Sequence, residues 1–128
     1  MRSYTLFFVL LASLLACRDE GTTQPQAPLA EVFEIHLQDG FSETPVVISV
    51  DQAQVFASTV STGFIVAFAA IIPVQLTQGT HKLTVTIAHT VSKDTSFAIS
   101  DTLFVGVSYN STTRTIDYRF QRNRFYYR

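Results

Sequence analysis

His81-Lys82-Leu83-Thr84-Val85-Thr86-Ile87-Ala88 is the stretch from which the fold is read. Leu83, Val85 and Ile87 alternate with Lys82, Thr84 and Thr86. In an extended chain that spacing puts every apolar side chain on one face and every polar one on the other. The octapeptide is therefore a half-buried strand. Gln78-Gly79 before it is a turn signal, and the polar run His89–Thr95 after it reads as a loop.

The same period of two extends in both directions. Upstream, Glu31–Gln38 places Phe33, Ile35 and Leu37 opposite Glu34, His36 and Gln38, and Asp39-Gly40 turns the chain. After Pro45, Val46, Ile48 and Val50 alternate with Val47, Ser49 and Asp51; a turn over Asp51–Gln54 then leads into Val55-Phe56-Ala57. Downstream, Phe97 and Ile99 mark a short strand, Leu103–Tyr109 another, and Asn110–Thr113 a turn. Arg114–Phe120 then alternates through Ile116, Tyr118 and Phe120.

Phe64–Val74, FIVAFAAIIPV, breaks the pattern because it is apolar on both faces. It suits a strand buried on both sides or a short buried helix, and periodicity alone does not separate them. Its second covering is either the protein's own loops or another chain, since large exposed apolar patches mark contacts. Pro73 lacks an N–H, which calls for a bend, a bulge or a sheet edge nearby. Seven to nine short strands at near-regular spacing, rich in Val, Ile, Thr, Phe and Tyr, predict an all-β chain. The expected architecture is a single antiparallel β-sandwich of immunoglobulin-like or jelly-roll kind over residues 31–128.

The N-terminus is of a different character. Arg2 precedes an apolar run, Leu6–Cys17, LFFVLLASLLAC, too short to cross a bilayer and followed at once by Arg18-Asp19-Glu20. Leu14-Leu15-Ala16-Cys17 resembles the lipobox of bacterial lipoproteins. That resemblance implies a signal peptide over residues 1–16, cleavage after Ala16, a diacylglyceryl group on the Cys17 sulfur and acylation of the new amine. Several acyl chains at about 0.8 kcal/mol per buried CH₂ would hold the protein on a membrane almost permanently. Residues 17–30 then form the lipidated cysteine and a flexible tether, RDEGTTQPQAPLA after the cysteine, with a reach on the order of 20 Å. Arg18-Asp19-Glu20 is either the solvated start of that tether or, by resemblance, a short export signal of surface lipoproteins. The expected location is the cell envelope at the outer membrane, periplasmic or surface-facing.

Chemistry is sparse. The mature chain keeps eight of nine Lys/Arg and all ten Asp/Glu, a balance of −2 that argues against nucleic acid as a partner. No nucleophile–base pair, phosphate loop or zinc spacing is present, and His36, His81 and His89 read as surface or turn residues. Asp39, Glu43, Asp51 and Asp101 sit at turns but form no calcium-loop run. No enzyme activity, cofactor or metal is expected. Asp101-Thr102-Leu103 resembles a bacterial O-glycan acceptor tripeptide.

The C-terminus concentrates charge and aromatics. Between Arg114 and Arg128 there are five Arg against Asp117, interleaved with Tyr118, Phe120, Phe125, Tyr126 and Tyr127. Arg122, Arg124, Phe125 and Tyr126 are the candidate contact residues, because Arg and Tyr are enriched at interface hot spots. The competing reading makes this segment a last core strand, with alternation continuing through Phe125 and Tyr127. The functional expectation is a lipid-anchored, non-catalytic module that binds or assembles, with the bilayer as one partner through Cys17 and a protein or glycan as the other. A glycan-binding module at the cell surface is the alternative, weakened by the lack of any Trp.

Overall fold

The computed structural model describes residues 30–127. The expected leader, Cys17, residues 18–29 of the tether, and Arg128 lie outside the described residues. Eight strands follow one another: β1 (Ala30–Leu37), β2 (Thr44–Val50), β3 (Ala53–Val60), β4 (Ala70–Thr77), β5 (Gly79–Ile87), β6 (Val91–Ile99), β7 (Leu103–Asn110) and β8 (Thr115–Gln121). They form two four-stranded sheets, β4-β1-β7-β8 and β3-β2-β5-β6. The sheets pack face to face as an all-β sandwich, the expected class.

The alternation explains the packing. Leu83, Val85 and Ile87 of β5 meet Val46, Ile48 and Val50 of β2 in the core, against Phe33, Ile35 and Leu37 of β1 and Val105 and Val107 of β7. Phe33 stacks on Phe97 across the sheets at 4.3 Å, and Phe120 joins them at 5.7 Å from Phe97. Two hairpins turn on residue pairs in the left-handed region, Asp51-Gln52 and Ala88-His89, the conformation that matches the twist of paired strands. Gly40 has φ +94°, and a Cβ there would lie 1.6 Å from the Tyr109 carbonyl oxygen. Only glycine lets the β1–β2 loop approach β7 this closely.

Four expectations change. The sandwich is not wholly antiparallel: β1 and β7 run parallel, Phe33 opposite Leu103 and Leu37 opposite Val107, because the chain crosses between sheets before β7. His89–Thr95 is not a loop, since β6 begins at Val91. Its polar residues Ser92, Asp94 and Ser96 face solvent beside Thr86, Thr84 and Lys82. The chain after Gln121 does not extend β8; it leaves the sheet.

The largest change concerns Phe64–Val74. Residues 61–69 form a loop with Phe64 and Ile65 fully exposed, and only 70–74 belong to a strand. That strand, β4, pairs with β1 alone, so Pro73 occupies a sheet edge where its missing N–H is tolerated. The strand buried on both faces is β1, over Phe33–Leu37. Leu83→Ala is expected to cost about 3 kcal/mol in denaturant unfolding, the usual effect of a cavity in a close-packed core. Ile65→Ala should stay within about 0.5 kcal/mol of the parent. A comparable loss at Ile65 would restore the buried reading of this segment.

Candidate functional site

Two features of the first sheet stand apart from the core. One is a polar cluster on its outer face. Glu34 and His36 alternate with the core residues of β1 and therefore point away from the second sheet, where the sequence places them in water. Instead His36 is 1% exposed and Glu34 8%. The C-terminal segment, residues 122–127, doubles back from β8 and runs over them.

Five of the six side chains of this segment matter to the cluster or its surroundings. Arg124 donates from Nε and Nη2 to the Glu34 carboxylate, both at 3.3 Å. Phe125 is buried with its ring 5.1 Å from His36, and the Arg119 guanidinium lies 5.5 Å over its outer face. Tyr127 stacks on His36 at 5.7 Å and meets Phe68 of the 61–69 loop at 4.8 Å. Arg122 is exposed, 3.5 Å from Asp101, and Tyr126 points into solvent. Of the four candidate contact residues, Arg122 and Tyr126 are open, Arg124 is ion-paired, and Phe125 is packed inside.

Hydrogen bonding orders the cluster. Gln38, lying over Gly106 where a Cβ would come 2.4 Å from its side-chain oxygen, donates from Nε2 to the Tyr127 hydroxyl at 3.0 Å. The Tyr127 hydroxyl is then the donor to His36 Nδ1 at 2.7 Å, and His36 Nε2–H donates to Glu34 at 2.7 Å. Carboxylate, imidazole and hydroxyl stand in the order used by nucleophilic triads. The surroundings oppose that chemistry, because burial pushes the Tyr127 phenol above its ordinary value and His36 is sealed. Among the described residues no pocket opens beside it. What the arrangement does is hold the tail down.

The second feature is apolar. Gly63 N–H donates to the Phe68 carbonyl, Phe68 N–H to Val66, Thr62 N–H to Phe41 and Ala69 N–H to Leu37. These bonds close a neck and project Phe64, Ile65 and Val66 from the end of the sandwich. The exposed large apolar side chains of the described residues are Val32, Phe64, Ile65, Val66, Ile71 and Tyr126. Ile71 faces outward opposite His36, Val32 shares that face of β1, and Tyr126 adjoins the ring that touches the loop. Five of the six therefore lie on the β4–β1 half of the first sheet and the loop entering it, and Tyr126 is in the tail.

The remaining candidates do not form a site. His89 is exposed in its hairpin turn. His81 is half-buried, bonded through Nδ1 to Asp51 and through Nε2 to the Thr77 carbonyl. Both partners accept, so the imidazolium is the form that fits. The bond to Asp51 raises the His81 pKa above 6.5, and the same bond lowers Asp51 below 3.8. Among the described residues, acidic and histidine side chains do not come together in threes. The outer face of the second sheet, from Val47 through Thr84 to Asp94, carries no aromatic ring among the described residues, so it offers no flat sugar platform. No protein-family model matches the chain, nor does any curated protein or solved structure.

Sequence reasoning missed the polar cluster because alternation assigns a face without saying what lies on it. The one available signal was the pair of polar residues in β1 combined with an aromatic C-terminus. Phe125→Ala is expected to cost about 3 kcal/mol and Tyr127→Phe about 1 kcal/mol, one hydrogen bond, by urea unfolding. An unchanged midpoint for Phe125→Ala would show that the tail is not bound. The His81–Asp51 bond stabilises fully between pH 3.8 and 6.5. Its contribution falls as pH rises through the elevated His81 value and as pH drops through the depressed Asp51 value. In melting curves against pH, His81→Gln should flatten the decline that begins above pH 6.5.

Proposed function

We propose that the chain is a lipid-anchored, non-catalytic β-sandwich of the cell envelope, at the outer membrane, that presents one apolar side of its domain to a protein partner. The observation that carries the contact half is that five of the six exposed large apolar side chains lie on β1, β4 and the loop entering β4, three of them consecutive in that loop. Each Phe or Ile left in water forgoes roughly 1.5–3 kcal/mol of burial. A neck of four main-chain hydrogen bonds holds Phe64 and Ile65 out regardless. A built projection of this kind marks an interaction site.

The anchor half rests on Leu14-Leu15-Ala16-Cys17. The tether enters at Ala30, whereas the 61–69 loop lies at the Leu37 end of β1, about 25 Å away along the strand. An anchor at Cys17 therefore leaves the apolar tip on the far side of the domain from the lipid. Cys17→Ser is expected to abolish lipid labelling and leave the chain at its unprocessed mass. Recovery of that variant in membranes at the mature mass would contradict the anchor. In membranes solubilised with mild detergent, Phe64→Ser combined with Ile65→Ser should move the protein to its monomer size without lowering its melting temperature. Unchanged migration would contradict the contact.

A further inference from the structure

Between Asp51 and His81 the chain has no Asp, Glu, Lys, Arg or His. This run is not scattered over the fold. It builds β3, the 61–69 loop and β4, which are the edge strand of each sheet and the connection between them. The two edges lie beside one another across the sandwich, so the run makes up one lateral side of the domain, with Glu31 and Glu43 only at its borders, beside Gln78 and Ser61.

The opposite side is different in both charge and closure. There β6 and β8 carry Lys93, Asp94, Asp117 and Arg119. Lys93 Nζ donates to the Ile116 carbonyl at 2.8 Å and the Tyr118 hydroxyl to the Lys93 carbonyl at 2.6 Å, joining the sheets. One side is charged and clasped; the other is neutral and ends in a projecting apolar tip.

Main-chain pairing with an incoming strand is disfavoured on the neutral side. In β3 the register shifts between Ile48 and Ser49 of β2, which face Phe56 and Gln54, so Val55 is an extra, bulged residue. In β4, Pro73 cannot donate. Bulges and prolines are the devices by which sheet edges reject strand addition. The occupant must therefore be bound through side chains, with Phe64 and Ile65 foremost.

We infer that the occupant is a second copy of this chain, packed about a two-fold axis through its charge-free side, with Phe64 and Ile65 of the two copies meeting. A two-fold contact sets residues near the axis against their own kind. Any charge there meets its like, which is destabilising. A lateral side whose middle has no charge, its carboxylates kept to the borders, is the surface on which this penalty vanishes near the axis. Copies anchored to one membrane also enter their domains at the same end, Ala30, so their tips stand level. The inference rests on the reading of this side as a contact surface.

The test uses the full chain with its own N-terminal segment, purified in detergent, and analytical sedimentation. The parent should sediment as a dimer. Ile65→Lys and Ile65→Glu should each dimerise about thirtyfold more weakly, the loss of a hot-spot side chain, with unchanged melting temperatures because Ile65 is exposed. A one-to-one mixture of the two variants should restore the dimer, since opposite charges then meet across the axis. A monomeric parent, a dimeric Ile65→Lys variant, or a mixture that stays monomeric overturns the second copy as occupant. The chain lacks tryptophan, so the emission of a Phe64→Trp variant isolated from membranes in mild detergent, taken as the difference from the same preparation of the parent, separates that failure from failure of the contact surface. With a monomeric parent, blue-shifted emission keeps the contact with a different partner, and water-like emission ends both.

Discussion

Burying a carboxylate and an imidazole on the outer face of a sheet is the constraint on which the rest of this structure turns. Phe33, Ile35 and Leu37 commit one face of β1 to the core, and Glu34 and His36 lie on the other. Buried polar groups must be hydrogen-bonded or ionised against a partner, and leaving them unpaired costs more than the pairing gains. The last six described residues meet that demand. Arg124 takes Glu34, Tyr127 takes His36, and Phe125 seals the space between. The first strand and the end of the chain are thus interdependent, although about 90 residues separate them.

That interdependence explains the division of the molecule into a closed part and an open part. The tail closes the outer face of the first sheet over β1 and β7, where Phe104 is also buried. The Lys93–Tyr118 clasp closes the side at β6 and β8. The side formed by β3, the 61–69 loop and β4 has neither device, and four of the six exposed large apolar residues, Phe64, Ile65, Val66 and Ile71, belong to it. Stability and the proposed contact thus fall on different surfaces, so changes at Phe64 or Ile65 and changes at Phe125 should act on different observables.

Much of the fold was legible because a period of two reports directly on a strand with one face in the core. Leu83, Val85 and Ile87 were readable on that basis, as were Val46, Ile48 and Val50. Asp39-Gly40 was readable as a turn for the conformational reason that Gly40 confirms. The candidate site was much less legible. Alternation in β1 separates Glu34 and His36 from the core without disclosing that a distant segment covers them. Phe64–Val74 misled for the converse reason: apolar character states a preference for burial, while exposure depends on neighbours. Here a hydrogen-bonded neck withholds those neighbours. His89–Thr95 read as a loop because loops and the outer faces of edge strands are alike polar, yet register with β5 puts Val91–Thr95 in a strand.

The tail-covered face is closed within the domain, whereas the β3–loop–β4 side has its apolar residues in solvent, open to the contact proposed for it. Hydrogen–deuterium exchange separates the two surfaces, comparing the protein in membranes, where the proposed anchor would hold it, with the purified protein at high dilution. The account predicts slow exchange for Glu34–Leu37 in both states, and slowing of residues 61–76 in the membrane only. Equal exchange of residues 61–76 in both states would contradict it.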